Sequence, residues 1–165
     1  MGTIKYVNSR AELLLSAKDN VITQLYFVGG RTTPPTLAPS SCTAQEEAVL
    51  KTLSSELDEY FAGTRKTFTV PVAPQGTPFR QQVWQALQTI PYGETISYKQ
   101  LAEKINSPKA IRAVGGANHN NPISIIIPCH RVIGANGKLV GYGGGLDVKE
   151  FLLELESGDL CANSN

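Results

Sequence analysis

Ser97-Tyr98-Lys99-Gln100-Leu101-Ala102-Glu103-Lys104-Ile105-Asn106-Ser107-Pro108-Lys109-Ala110-Ile111-Arg112-Ala113-Val114-Gly115-Gly116-Ala117-Asn118 decides how the second half of this chain folds. Ser97 with Gln100 three residues on has the form of a capping box, so a helix begins there. Tyr98, Leu101, Ala102 and Ile105 then share one face over two turns, and Asn106 ends them. Ser107-Pro108 supplies a cap and a first-turn proline, which predicts a further helix running to about Asn118. Two helices joined by so few residues are the sequence form of a helix-turn-helix.

In the later helix, Ile111 and Val114 share a face and are expected to pack inward. Arg112, Gly115, Gly116 and His119 stand at i, i+3, i+4 and i+7 and share another. Glycine in mid-helix costs about 1 kcal/mol relative to alanine, so two of them need a reason. A face without side chains lets a large partner approach the backbone, with Arg112 placed to enter a groove. The same pattern also describes close packing against the protein's own core, and both readings stand.

Working outward, Phe79, Val83, Leu87 and Ile90 mark a helix behind Thr77-Pro78 that ends at Pro91-Tyr92-Gly93. Pro71 to Pro78, with three prolines and Gly76, reads as an interdomain connection. The division is therefore 1–74, a linker at 75–78, and 79–165. In the first part, Leu13 to Ala17 and Val21 to Phe27 flank Lys18-Asp19-Asn20 as a hairpin with a polar turn. Residues 29–41, with Pro34, Pro35 and Pro39, read as loop. Thr43-Ala44-Gln45-Glu46 is another capping box, opening a helix with Leu50, Leu53, Leu57 and Phe61 on one stripe, stopped by Gly63. Phe68-Thr69-Val70 is expected to be one more strand.

The chain has 165 residues, 41% apolar and 18% charged, with a net charge of +1. That length suits one domain or two small ones, and the composition excludes a disordered or fibrous chain. No run approaches the roughly 18 apolar residues of a membrane helix, and MGTIKYVNSR lacks a secretory h-region. Cys42, Cys129 and Cys161 are odd in number and far apart, forming neither a disulfide framework nor a CxxC pair. A cytoplasmic location, where free thiols survive, is expected. Charge is unevenly placed: residues 79–138 hold seven Lys/Arg against two Asp/Glu, whereas residues 139–165 hold one against five. The basic stretch permits salt-sensitive contact with phosphates, and equally describes a solvated surface.

Ile123-Ser124-Ile125-Ile126-Ile127 is a β-branched run expected to be buried and extended. It leads into Pro128-Cys129-His130-Arg131, where imidazole and guanidinium beside a thiol favour the thiolate and make the sulfur a nucleophile. In an extended chain neighbouring side chains point to opposite faces, so Cys129 and His130 cooperate only if the backbone turns or a water bridges them. The alternative for a lone cysteine is a small buried hydrophobe.

Ile127-Pro128-Cys129-His130-Arg131-Val132 resembles the acceptor motif of the O6-alkylguanine-DNA alkyltransferases (methylated-DNA–protein-cysteine methyltransferases). Further blocks agree in order and spacing: Ile96-Ser97-Tyr98 with Gln100-Leu101-Ala102, Arg112 to Ala117, Asn121-Pro122, Gly141-Tyr142, and Gly144-Gly145-Leu146 with Lys149-Glu150. The likeness covers about residues 77–156, and is looser over 1–74. It implies an α/β N-terminal domain (a small β-sheet plus helix, ribonuclease H-like) and a mainly α C-terminal domain with a winged helix-turn-helix. It also implies direct reversal of DNA damage: irreversible, single-turnover transfer of an alkyl group from O6-alkylguanine, and possibly O4-alkylthymine, with base flipping.

Residue by residue, the resemblance implies Cys129 as alkyl acceptor, His130 as base through a water, and Glu156 orienting the histidine. Tyr98 would donate a proton to the departing base, and Asn121 would tie the turn before the acceptor segment to the helix-turn-helix. DNA contacts would come from Arg112, Ala113, Gly115, Gly116, Tyr98 and Arg131. The base pocket would involve Val132, Tyr142, Gly143, Gly144 and Lys149, with the Cys129 and Val132 carbonyls accepting from the guanine amino group. Without the resemblance, Tyr98 reads as a core aromatic, Asn121 as an Asn-Pro turn residue, and Glu156 as a solvated helix end. Glu156 shares a helix face with Lys149, while Val148, Phe151, Leu152 and Leu155 are expected to pack inward.

Two departures stand out. Gly143 occupies a place where many relatives carry a hydroxyl, and the glycine run 141–145 suggests room for larger alkyl groups. The N-terminal part has Cys42 and no histidine, so it lacks the ligands of the zinc site that some relatives carry and no metal is expected; the implied alkyl transfer needs no cofactor either. The expected partner is double-stranded DNA carrying O6-alkylguanine, bound through the minor groove by a monomer, with no membrane association. The rivals are an alkyltransferase-like protein that binds alkylated DNA without repairing it, and a Cys-His hydrolase acting on small molecules.

Overall fold

The computed structural model describes residues 2–28, 43–134 and 146–158. Strands β1 (Gly2–Val7), β2 (Glu12–Lys18) and β3 (Val21–Phe27) form an antiparallel sheet in that order. The hairpin appears where the polar turn lay, with Asp19 at φ 56 turning the chain between Lys18 and Val21. β1 is an addition to the sequence reading; Tyr6 anchors it by donating its phenol proton to Asp58 at 2.6 Å. Leu13, Leu15 and Ala17 of the central strand β2 are fully buried.

Helix α1 (Ala44–Phe61) covers the sheet. Both halves of the Thr43/Glu46 capping box form, and Glu46 also accepts from the backbone N–H of Asp19, so one carboxylate ties the helix start to the hairpin turn. Leu50, Leu53 and Leu57 are buried against the strands, each stabilising by about 1.5–3 kcal/mol relative to exposure. The stripe ends on Tyr60, fully buried, whereas Phe61 lies half-buried and stacked between Tyr6 and Phe151.

The expected strand at Phe68–Val70 does not form. The N–H and hydroxyl of Thr69 go to Glu56, and Pro71 and Pro74 have no N–H to give, so pairing with β3 shrinks to one bridge between Ile22 and Val72. The linker at 75–78 does not run free either. A Cβ on Gly76 would lie 2.4 Å from the Trp84 ring, so the indole packs on this glycine's backbone. Trp84 also donates to the carbonyl of Ala117 at 2.9 Å.

The second half holds α2 (Pro78–Leu87), β4 (Ile96–Ser97), α3 (Tyr98–Lys104), α4 (Ile111–His119), β5 (Val132–Ile133) and α5 (Leu146–Ser157). Thr77 caps α2 with proline in its first turn, and the Ser97/Gln100 capping box opens α3. Asn106, at φ 58, closes α3, with Ser107 N–H donating to the Ala102 carbonyl. Ser107 does not cap the next helix. A turn follows, and α4 starts at Ile111 behind Ala110 without a side-chain cap. Of the winged helix-turn-helix, the described residues show the α3/α4 pair and the parallel two-residue ladder of β4 with β5.

The run Ile123–Ile127 is almost wholly buried, as expected, but turned rather than extended. Ile125 sits at φ 70, a strained conformation for a β-branched residue that costs on the order of 1–3 kcal/mol. The turn lets Leu25 of β3 donate to the Pro122 carbonyl and accept from Ser124 N–H. The two halves are thus joined by backbone hydrogen bonds at the sheet edge, directly before the cysteine. No helix among the described residues is long and apolar enough to cross a membrane.

Candidate active site

Cys129 begins a single 3₁₀ turn, Cys129–Arg131, at the centre of the second half, and is 4% exposed. The backbone therefore does turn between Cys129 and His130, which removes the geometric objection an extended chain would raise. His130 is completely buried, and its Nε2 lies 2.6 Å from Oε2 of Glu156 on α5. The pairing explains the burial of Glu156 on α5, which also buries Lys149, Leu152 and Leu155. The solvated-end reading of Glu156 fails, and Val148 and Phe151 are only half-buried.

Four hydrogen bonds reach the Glu156 carboxylate. Oε2 accepts from His130, from the Tyr60 phenol at 2.6 Å and from Arg131 Nη2 at 3.0 Å; Oε1 accepts from Arg131 Nε at 2.7 Å. Burial alone would raise this carboxyl, but the hydrogen bonds and charges of His130 and Arg131 outweigh it and hold it at about 2. An ionised carboxylate can only accept, so the neutral imidazole must carry its proton on Nε2. Nδ1 is then the basic nitrogen, and it is buried without a hydrogen-bond partner among the described residues. Burial lowers the His130 pKa, and the pull of Glu156 works against this.

Arg131 corrects the sequence reading. It is 7% exposed, and its guanidinium is consumed by Glu156 and by the Ile90 carbonyl at 2.7 Å. It belongs to the buried relay and leaves no surface for DNA. The Cys129 carbonyl accepts from Val132 N–H and from Asn118 Nδ2 at 3.3 Å. Val132 is fully buried in β5. Tyr142, Gly143 and Gly144, with the rest of the 141–145 run, lie outside the described residues.

Tyr98, at the head of α3, is half-buried, and its pKa is raised mainly by that burial, so it is a protonated phenol at neutral pH. The Lys149 ammonium lies 5.9 Å from the Tyr98 ring centroid; burial lowers its pKa to about 8 while the nearby Cys129 works to raise it. Asn121 braces the turned segment itself: its Nδ2 donates to the Ile127 carbonyl at 2.7 Å and its Oδ1 accepts from Ile123 N–H at 3.0 Å.

The outer face of α4 stays clear of the core. Arg112, Ala113, Gly116 and His119 are exposed, and a Cβ on Gly116 would meet nothing within 4 Å. Packing against the core does not explain that glycine. At Gly115 a Cβ would come 3.9 Å from the Tyr98 ring, an ordinary contact, which places this face against the edge of the site. Ile111 departs from the expectation: it is 42% exposed, and of that pair only Val114 packs inward.

Two participants escaped the sequence reading. Asn118 is a polar residue on the buried Val114/Ala117 side of α4, a signal that was visible. Tyr60 continued an apolar stripe on α1, and nothing local pointed to a partner 96 residues away. Among the described residues no cluster of His, Cys, Asp or Glu could hold a metal ion.

The chain is similar to known proteins over nearly its whole length. Residues 78–158 match the family described as 6-O-methylguanine DNA methyltransferase, DNA binding domain, and residues 11–74 match its ribonuclease-like domain. A methylated-DNA–protein-cysteine methyltransferase of Methanosarcina acetivorans is 51% identical, covering 87% of this chain and 90% of its own. The constitutive enzyme of that name from Bacillus subtilis is 44% identical, covering 88% of each. The crystal structure of Mycobacterium tuberculosis OGT in complex with DNA superposes with a TM-score of 0.82 at 45% identity, over 94% of this chain and 91% of that one.

Proposed function

The chain belongs to the 6-O-methylguanine DNA methyltransferase family, and from that premise we propose that it repairs O6-alkylguanine in DNA by moving the alkyl group to Cys129. The observation that carries the reading is the clamp on His130: an ionised, buried Glu156 holds Nε2 at 2.6 Å and leaves Nδ1 as base one residue from a buried thiol.

The exposed Arg112–Gly116 face of α4 lies against the minor groove, and Arg112 fills the gap left by the rotated nucleotide, which offsets part of the few kcal/mol of lost stacking. His130 Nδ1 takes the Cys129 proton through a water. The sulfur attacks the O6-alkyl carbon in line, an S–C bond forms, the C–O6 bond breaks, and its electron pair leaves with guanine. The Tyr98 phenol, held protonated by burial, supplies a proton to that departing base. Lys149 and Asn121 support the acceptor turn. A thioether has no easy route back to a thiolate, so each molecule reacts once, and a thiol kept for this purpose suits the reducing cytoplasm.

Intact-mass analysis after mixing with duplex DNA carrying O6-methylguanine tests the reading. The expected result is a 1:1 gain of one methyl, lost on Cys129→Ser. A gel shift without any change in mass would replace repair with damage recognition, and neither shift nor mass gain would refute both.

A further inference from the structure

The N-terminal half reaches into the acceptor relay at one atom. Tyr60 of α1 is fully buried, and its phenol donates to the same Glu156 oxygen that holds His130. Its ring is locked by contacts with Phe61, Phe68 and Tyr92 at centroid distances of 5.5, 5.5 and 6.3 Å, so the hydroxyl has a defined direction. A buried phenol packed only for its ring would serve as well as phenylalanine; here the hydroxyl is spent on the carboxylate that fixes the base.

We propose that Tyr60 is a positioning residue for alkyl transfer, placing Glu156 and tuning the basicity of His130 from the other domain. The proposal rests on the reaction assigned above to Cys129. Oε2 shares its negative charge among Tyr60, His130 and Arg131. Each donor drawing on that oxygen weakens its hold on an imidazolium, so the phenol keeps His130 readier to release its proton. The charged and titratable groups facing His130 are Glu156 and Lys149 from α5 and Arg131 from its own turn, with Tyr98 of α3 and Lys149 facing Cys129. Glu156 faces Arg131 and, from α1, Tyr60.

Tyr60→Phe retains the ring and removes one donor. The charge on Oε2 then concentrates on His130, imidazolium is favoured, and the acid-side midpoint of single-turnover alkyl transfer moves to higher pH by about one unit, the scale of one hydrogen bond to a charged group. The limiting transfer rate below neutral pH falls about tenfold with that shift, while the DNA concentration for half-saturation stays unchanged. Fluorotyrosine at position 60, a stronger donor of the same shape, moves the midpoint the opposite way and guards against a folding defect in the phenylalanine variant. Nitrogen NMR reads the cause directly, because the chain has two histidines and exposed His119 serves as internal reference. Equal midpoints in all three proteins, with unchanged His130 titration, would overturn the proposal while wild-type methyl gain left the repair reading standing. Absence of methyl gain in the wild type would remove the repair reading itself, whatever the histidine does.

Discussion

Replacing Glu156 with glutamine tests the site at its most connected point. The amide keeps the shape of the carboxylate but loses its charge and turns an N–H₂ toward one of the three donors, Tyr60, His130 and Arg131. The buried Arg131 guanidinium then lacks its counter-charge, and breaking a buried pair in this way costs about 3–5 kcal/mol. An independent route gives a similar figure. Folding lowers the Glu156 pKa from 4.5 to about 2, so its ionisation stabilises the native state by about 3 kcal/mol. A carboxyl depressed on folding contributes fully above its unfolded value and loses that contribution as pH falls toward its folded value. Urea unfolding of wild type and E156Q should therefore differ by about 3 kcal/mol at neutral pH, with the gap closing between about pH 4.5 and pH 2. Alkyl transfer should drop by about 10³–10⁴-fold, because glutamine can donate to Nε2 and move the imidazole proton to Nδ1, the wrong nitrogen. A gap under about 1 kcal/mol, typical of an exposed pair, or a gap that persists unchanged to pH 2 would refute this account of the relay.

Cys129→Ser should retain binding to alkylated duplex in a gel shift yet gain no methyl by mass spectrometry; a serine variant that repairs would end the thiol mechanism. Gly116→Ala should raise stability by about 1 kcal/mol, since a Cβ there meets nothing within 4 Å, while weakening DNA affinity; unchanged affinity would remove this face from the interface. Arg131→Ala should cost about 3–5 kcal/mol in chemical unfolding without altering the salt dependence of DNA binding, and a shallower salt slope would return Arg131 to the phosphate contacts.

Legibility differed by element for physical reasons. Both capping boxes, Thr43/Glu46 and Ser97/Gln100, formed where the residue pattern put them, because a cap is a bargain among four neighbouring residues. Ser107-Pro108 carried an equally good local signal, yet the segment closes as a single turn from Ser107 to Ala110 and the helix starts later, at Ile111. The isoleucine run 123–127 was legible as buried but not as turned, because its partner is the edge of β3, a hundred residues away. At the site, Glu156 was placed beside His130 through the family likeness, and the two lie in hydrogen-bond contact; Arg131 was named for the wrong surface, because a motif does not tell which neighbour of the histidine faces inward.

The chain alone carried what depends on short-range chemistry: helix starts, the hairpin turn, the small-residue face of α4, and a thiol flanked by imidazole and guanidinium. The fold decided what depends on burial. It brought Tyr60 of α1 and Arg131, the neighbour of His130, onto the one Glu156 carboxylate that holds the imidazole, and thereby chose which ring nitrogen is the base. Hydrogen-bond direction and ionisation are set by the dielectric and partners a group meets after folding, and no spacing along the chain encodes those.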